Sequence, residues 1–97
     1  PKTNYADVRI FPSPFHIPSQ KKMTVTGLIY ESSMMITTLG GKVVRHIKTS
    51  GVENDGDQIS WDGRDSNGDY VSTGVYLLLI YGKDGSRHED KVTVIKK

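Results

Sequence analysis

Asp65-Ser66-Asn67-Gly68-Asp69 alternates side-chain oxygens with a glycine, and calcium loops arrange oxygen donors in this way. The register does not suit that chemistry. Counting from Asp65 puts Tyr70 where the loop needs its glycine and Tyr76 where it needs its bidentate glutamate. Counting back from Gly68 puts Gly63 in the first ligand position. Asn, Asp and Gly are also what tight turns demand, because they tolerate left-handed backbone and cap their own amides, so the segment reads as a turn. His16, His46 and His88 lie far apart in different contexts, and no serine sits in a nucleophile-elbow setting. With no cysteine there is no disulfide and no thiolate metal site. The sequence assigns no catalytic residue, no metal and no cofactor, and the chain reads as non-enzymatic.

The aromatic residues are the second chemical resource. Trp61 and the tyrosines could stack on a sugar ring, but aromatics also fill sandwich cores. Trp61 closes an apolar run and Tyr76 follows Gly74 at the start of the longest one, so both are expected in the core. Tyr76 resembles a tyrosine corner, whose hydroxyl ties the start of a strand to neighbouring backbone. Tyr5, Phe15, Tyr30 and Tyr70 are left open as candidates for an interaction surface.

Gly63-Arg64-Asp65 is not in the integrin-binding order, and Gly40-Gly41 precedes a strand rather than a phosphate-binding helix. Charge is unevenly spread although the net value is only +2. Residues 53–69 carry Glu53, Asp55, Asp57, Asp62, Asp65 and Asp69 against Arg64, while both flanks are basic and the chain ends Lys96-Lys97. That balance does not call for nucleic acid, and an acidic loop between basic flanks is ordinary solvated surface. No stretch is long and apolar enough for a membrane span. The first residues are Pro1-Lys2-Thr3, no signal peptide is expected within the 97 residues, and residues 1–6 are expected to be a linker from upstream domains.

The elements that must position these residues are strands. The 97 residues make one domain, expected over 7–97, and no useful length shows helical spacing of apolar positions. Strands are predicted over Asp7–Phe11, Lys22–Ile29, Ser33–Leu39, Lys42–Ile47, Gln58–Trp61, Val75–Tyr81 and Asp90–Ile95. Gly40-Gly41 suits a two-residue hairpin turn, and Lys83-Asp84-Gly85-Ser86 signals another. Val75–Tyr81 is apolar nearly throughout, which predicts a central strand buried on both faces. Pro12, Pro14 and Pro18 make the segment after the first strand an extended edge or loop. Thr49–Asp57 reads as a polar loop. The pattern predicts an all-β fold, a seven-stranded antiparallel immunoglobulin-like β-sandwich.

Laid end to end, the motifs resemble a known group. Val8-Arg9-Ile10-Phe11-Pro12-Ser13-Pro14-Phe15 resembles an opening "PNPF" segment, and Met23-Thr24-Val25-Thr26-Gly27-Leu28 an "I.GLP" strand. Leu39-Gly40-Gly41-Lys42-Val43-Val44 resembles "L.GR.V". Trp61-Asp62-Gly63-Arg64-Asp65-Ser66-Asn67-Gly68, with Val71 and Gly74-Val75-Tyr76, is similar to "WDGRD.NG..V..GVY". Asp84-Gly85 and Lys91-Val92-Thr93-Val94 resemble the closing hairpin. The chain thus resembles, over residues 7–97, the Ig-like C-terminal domains that include flagellar-hook-capping modules and the type IX secretion sorting domains of Bacteroidetes. Ser13 and Ile36-Thr37-Thr38 depart from the group's usual asparagine and "IYD".

The resemblance implies a non-enzymatic sorting signal or docking module, carried through the periplasm to the cell surface at the outer-membrane periphery. Implied partners are proteins of the type IX machinery, upstream domains of the same chain, and anionic lipopolysaccharide. The positions that match are Gly74, Tyr76 and the closing strand with Lys91, Lys96 and Lys97. An open last strand can add to a partner's sheet, and lysines can meet an anionic surface. The same lysines also suit a solvated tail that protects an edge from aggregation. A structural spacer packing on upstream domains, or a carbohydrate-binding module, are the alternatives.

Overall fold

The computed structural model describes residues 8–28, 32–48, 58–82 and 85–96. The expected linker 1–6, the loop Thr49–Asp57, Tyr5, Tyr30 and Lys97 lie outside the described residues. Within them there are strands and no helix: β1 Arg9–Phe11, β2 Phe15–Ile17, β3 Met23–Thr26, β4 Ser32–Thr38, β5 Val43–Lys48, β6 Gln58–Trp61, β7 Gly74–Gly82 and β8 Arg87–Lys96. They form a three-stranded sheet ordered β1-β3-β6 and a five-stranded sheet ordered β2-β8-β7-β4-β5, packed as a sandwich.

The β-sandwich is as the alternation predicts, but the seven-stranded antiparallel description needs two corrections. There are eight described strands, and the larger sheet is mixed. The addition is β2, paired in parallel with the end of β8 through Phe15↔Val94, His16↔Ile95 and Ile17↔Lys96. Three residues bounded by Pro14 and Pro18 are too short to show a period. A sheet edge tolerates such prolines, because one side of the strand owes no ladder hydrogen bonds. Phe15 and Ile17 are fully buried, so β2 brings two large side chains into the core.

Inward positions of both sheets meet in one core, which includes Met23, Val25, Ile59 and Trp61 from the smaller sheet and Met34, Ile36, Leu78, Ile80, Val92 and Val94 from the larger. Burial of each such side chain stabilises the fold by about 1.5–3 kcal/mol. Trp61 joins the layers: its ring centroid lies 6.1 Å from Phe15 and 6.0 Å from Tyr76. Phe15, open as a surface candidate on sequence, is therefore core.

The hairpin turns share one geometry. Gly41 N–H donates to Thr38 O at 3.0 Å and Thr38 N–H to Lys42 O at 2.9 Å. The expected two-residue Gly40-Gly41 turn is thus a three-residue loop closed by a left-handed Gly41, at φ 93°. Gly82, Gly85 and Ser86 make the same pair of bonds in the β7–β8 connection.

β7 is central, between β8 and β4, as its composition predicts. It is not buried on both faces. Tyr76, Leu78 and Ile80 point into the core, whereas Val75 is 37% exposed and Leu77, Leu79 and Tyr81 are half-buried.

Candidate functional site

The segment from Trp61 to Tyr76 is built as a clasp across the open edges of β5 and β6. Trp61 Nε1–H donates to Arg64 O at 2.8 Å, which satisfies the one polar group on a ring otherwise inside the core. Arg45, on β5, donates to the same carbonyl at 3.2 Å and lies 3.4 Å from Asp62 Oδ1, which also accepts the Arg64 amide at 3.0 Å. The Ser66 amide and hydroxyl both donate to Val44 O, at 3.0 and 3.1 Å. These bonds cover backbone of edge strand β5 that another chain could otherwise pair with. Gly63 adopts φ 82°, and a Cβ there would lie 2.9 Å from Ile17 Cγ2, so this position needs glycine twice over.

The Asp65–Asp69 run is the third copy of the hairpin turn. Gly68 N–H donates to Asp65 O at 3.0 Å, and Asp65 N–H to Asp69 O at 2.8 Å. Asp65 Oδ1 also accepts the amides of Asn67 and Asp69, at 2.9 and 3.1 Å. The other two turns reach the same backbone geometry without a cluster of carboxylates, so the acidic and amide side chains here serve the turn. Arg64 folds over it, with Cζ 4.2 Å above the Tyr70 ring and Nη1 donating to Gly68 O at 2.9 Å. Tyr70 is thereby held against the clasp.

Tyr76 is the tyrosine corner expected from its position. Its hydroxyl donates to Ser72 O at 2.7 Å while the ring lies in the core, and burial pushes its pKa above the ordinary phenol value. Gly74 starts β7, paired with Val94. Tyr76 thus ties the start of β7 to the preceding backbone.

Lys91 and Lys96 do not share a patch. Strand alternation puts residues an odd number apart on opposite faces, so Lys91 lies outward opposite Leu77 while Lys96 falls in the inward register at the sheet's end, opposite Ile17. Lys96 is fixed through its backbone, with N–H donating to Thr73 Oγ1 at 2.9 Å. The closing strand is only partly open: Val94 has strand neighbours on both sides, and β2 occupies the edge of residues 94–96 that a partner strand would need there.

His16, His46 and His88 lie on β2, β5 and β8, and no group of three metal-competent side chains occurs among the described residues. No helix in the described residues is long and apolar enough to cross a membrane.

The surface that sequence reasoning missed is the outer face of the larger sheet. Val75, Leu77, Leu79 and Tyr81 form its central line, with Met35 on β4 directly beside Leu79. Arg87, Glu89 and Lys91 border it on β8, and His46 and Lys48 on β5. The His46 and Tyr81 rings approach to 6.3 Å across the strand between them. The signal was present in the unbroken apolar run of β7, which promises cover on both sides. Among the described residues no strand lies over this face.

No protein-family model matches the chain, and no curated protein matches it in sequence. Among solved structures it is similar to a domain of PorZ, described as an essential bacterial surface component of the type-IX secretion system of Porphyromonas gingivalis. The TM-score is 0.76 and the identity 22%, over 92% of this chain. The chain spans 11% of that PorZ chain. CopC from Methylosinus trichosporium OB3b is also similar, at a TM-score of 0.53 and 20% identity, over 92% of this chain and 94% of that one. The chain therefore has a β-sandwich fold shared with a domain of a secretion component.

Proposed function

We propose that the chain is a non-enzymatic β-sandwich module of a type IX secretion-associated surface protein, acting as a sorting signal or docking domain at the outer membrane. The observation that carries this reading is the match to the PorZ domain over 92% of the chain at a TM-score of 0.76. The Trp61–Tyr76 motif supports it indirectly, since its polar groups hold the sandwich closed and leave recognition to other surfaces. Contact with anionic lipopolysaccharide would use Lys91 and Lys96 separately, because they lie on opposite faces.

The test fuses residues 1–97 behind a periplasmic signal and a reporter in a type IX-competent host. The reporter is expected at the cell surface. Failure of export sinks the sorting role, and a docking role is then judged by co-purification with the parent complex. Removing residues 91–97 would also take Val92 and Val94 from the core, so charge reversal at Lys91, Lys96 and Lys97 is the cleaner probe of the lysines. A structural spacer remains the second reading, favoured by the buried ring and backbone hydrogen bond of Tyr76.

A further inference from the structure

The outer face of the five-stranded sheet carries four consecutive outward apolar positions on its central strand, Val75, Leu77, Leu79 and Tyr81. An antiparallel sheet wetted on one side alternates apolar and polar residues, and continuous apolar strands belong to sheets covered on both sides. β7 has the second composition in the first setting. Neighbouring β8 does not share it, since its outward residues include Arg87, Glu89, Lys91 and Thr93. The apolar line is therefore a stripe with a polar border, the layout of a docking surface rather than of a misplaced core.

We propose that this face docks a protein partner presenting an apolar patch rimmed by carboxylates. The inference rests on the docking reading above and names the surface and the chemistry it selects. Charge decides among occupants. Arg87 flanks Tyr81 directly, Lys48 ends the same row beyond Ser33, and Lys91 flanks Leu77, while Glu89 is the one carboxylate in these rows among the described residues. A second copy meeting face to face would bring one basic border against another, and like charges across an interface are disfavoured. Leu77 and Leu79 are half-buried among their neighbours and do not project as membrane-inserting side chains do. A flat protein surface with acidic borders meets both the shape and the sign.

The test places a photo-crosslinking amino acid at Leu77 or Leu79 in the cells that make the protein, with Thr26 on the opposite outer face as control. Adducts are expected on a different protein segment, at a peptide combining apolar side chains with Asp or Glu. The double charge reversal R87E/K91E is expected to lower their yield by about tenfold. Adducts between copies of this chain, adducts to lipid or glycolipid, yields no higher than at Thr26, or yields unchanged by charge reversal would each overturn the proposal. Thermal melting checks that each variant folds, and if neither does, the exposed Val75 carries the crosslinker. Surface export of the reporter fusion is read in parallel. Acidic protein adducts without export sink the sorting role and keep the face, and export without adducts sinks the face alone.

Discussion

The two outer surfaces of the sandwich obey different rules. On the smaller sheet Thr24 and Thr26 point away from the core, with Arg9 and Phe11 opposite them on β1 and Gln58 and Ser60 on β6. Apart from Phe11 these are polar, and Thr24 Oγ1 and Ser60 Oγ share a hydrogen bond at 3.3 Å across the strands. The inward residues Ile10, Met23, Val25, Ile59 and Trp61 alternate with them, as a sheet with one wet side requires. On the larger sheet the same alternation holds at the borders and fails along β7. One surface is finished against water, and the other carries a stripe suited to further burial.

Measured stability can break or sharpen that contrast. The largest effect belongs to the residue that joins the layers: Trp61→Ala is expected to cost about 3–5 kcal/mol in urea unfolding, because it empties the contact between both sheets. The most direct comparison lies within β7. Leu78→Ala should cost about 2–5 kcal/mol, whereas Leu77→Ala one position away should cost about 1 kcal/mol or less. Equal losses at the two positions would mean that the outer face is already covered in the isolated chain. Gly63→Ala is expected to lose about 2 kcal/mol, from its left-handed backbone and the approach of Ile17, measured by thermal melting.

Smaller effects follow at the tyrosine corner and on the polar face. Tyr76→Phe removes one hydrogen bond and should cost about 1 kcal/mol at neutral pH. Because the folded-state pKa is raised, the neutral phenol favours the native state. That contribution is complete below the unfolded value near 10.0 and is lost as pH rises through the raised folded value. Alkaline titration of stability should accordingly be steeper for the native chain than for Tyr76→Phe. Thr24→Val should change stability by only about 0.5 kcal/mol, since it removes one cross-strand hydrogen bond while the added methyl packs among the strand neighbours that already bury Thr24. A markedly larger change would show that this surface too has a role beyond solvation.

Much of the fold was legible because its signals are local. Gln58–Trp61 is the strand its alternation indicates, and Tyr76 makes the backbone bond that its distance from Gly74 suggested. Asp65–Asp69 was readable as a turn, since the left-handed glycine and self-capping aspartate act within five residues. β2 was legible only as an extended edge or loop, because two core residues between prolines carry no period and their pairing with β8 joins distant parts of the chain. The matched lysines show the same divide. Lys91 and Lys96 were named together because the resemblance matches both to the closing strand and its basic end, yet strand parity and strand ends separate them.

By itself the sequence determined the β class, the turn chemistry of the Trp61–Tyr76 segment and the central place of β7, all of which follow from residue type and short-range spacing. Tertiary structure decided which strands became neighbours, that β2 fills the edge beside the end of β8, and that only one face of β7 meets the core. Those outcomes depend on how distant segments divide a limited amount of covering surface, and no local pattern states that division.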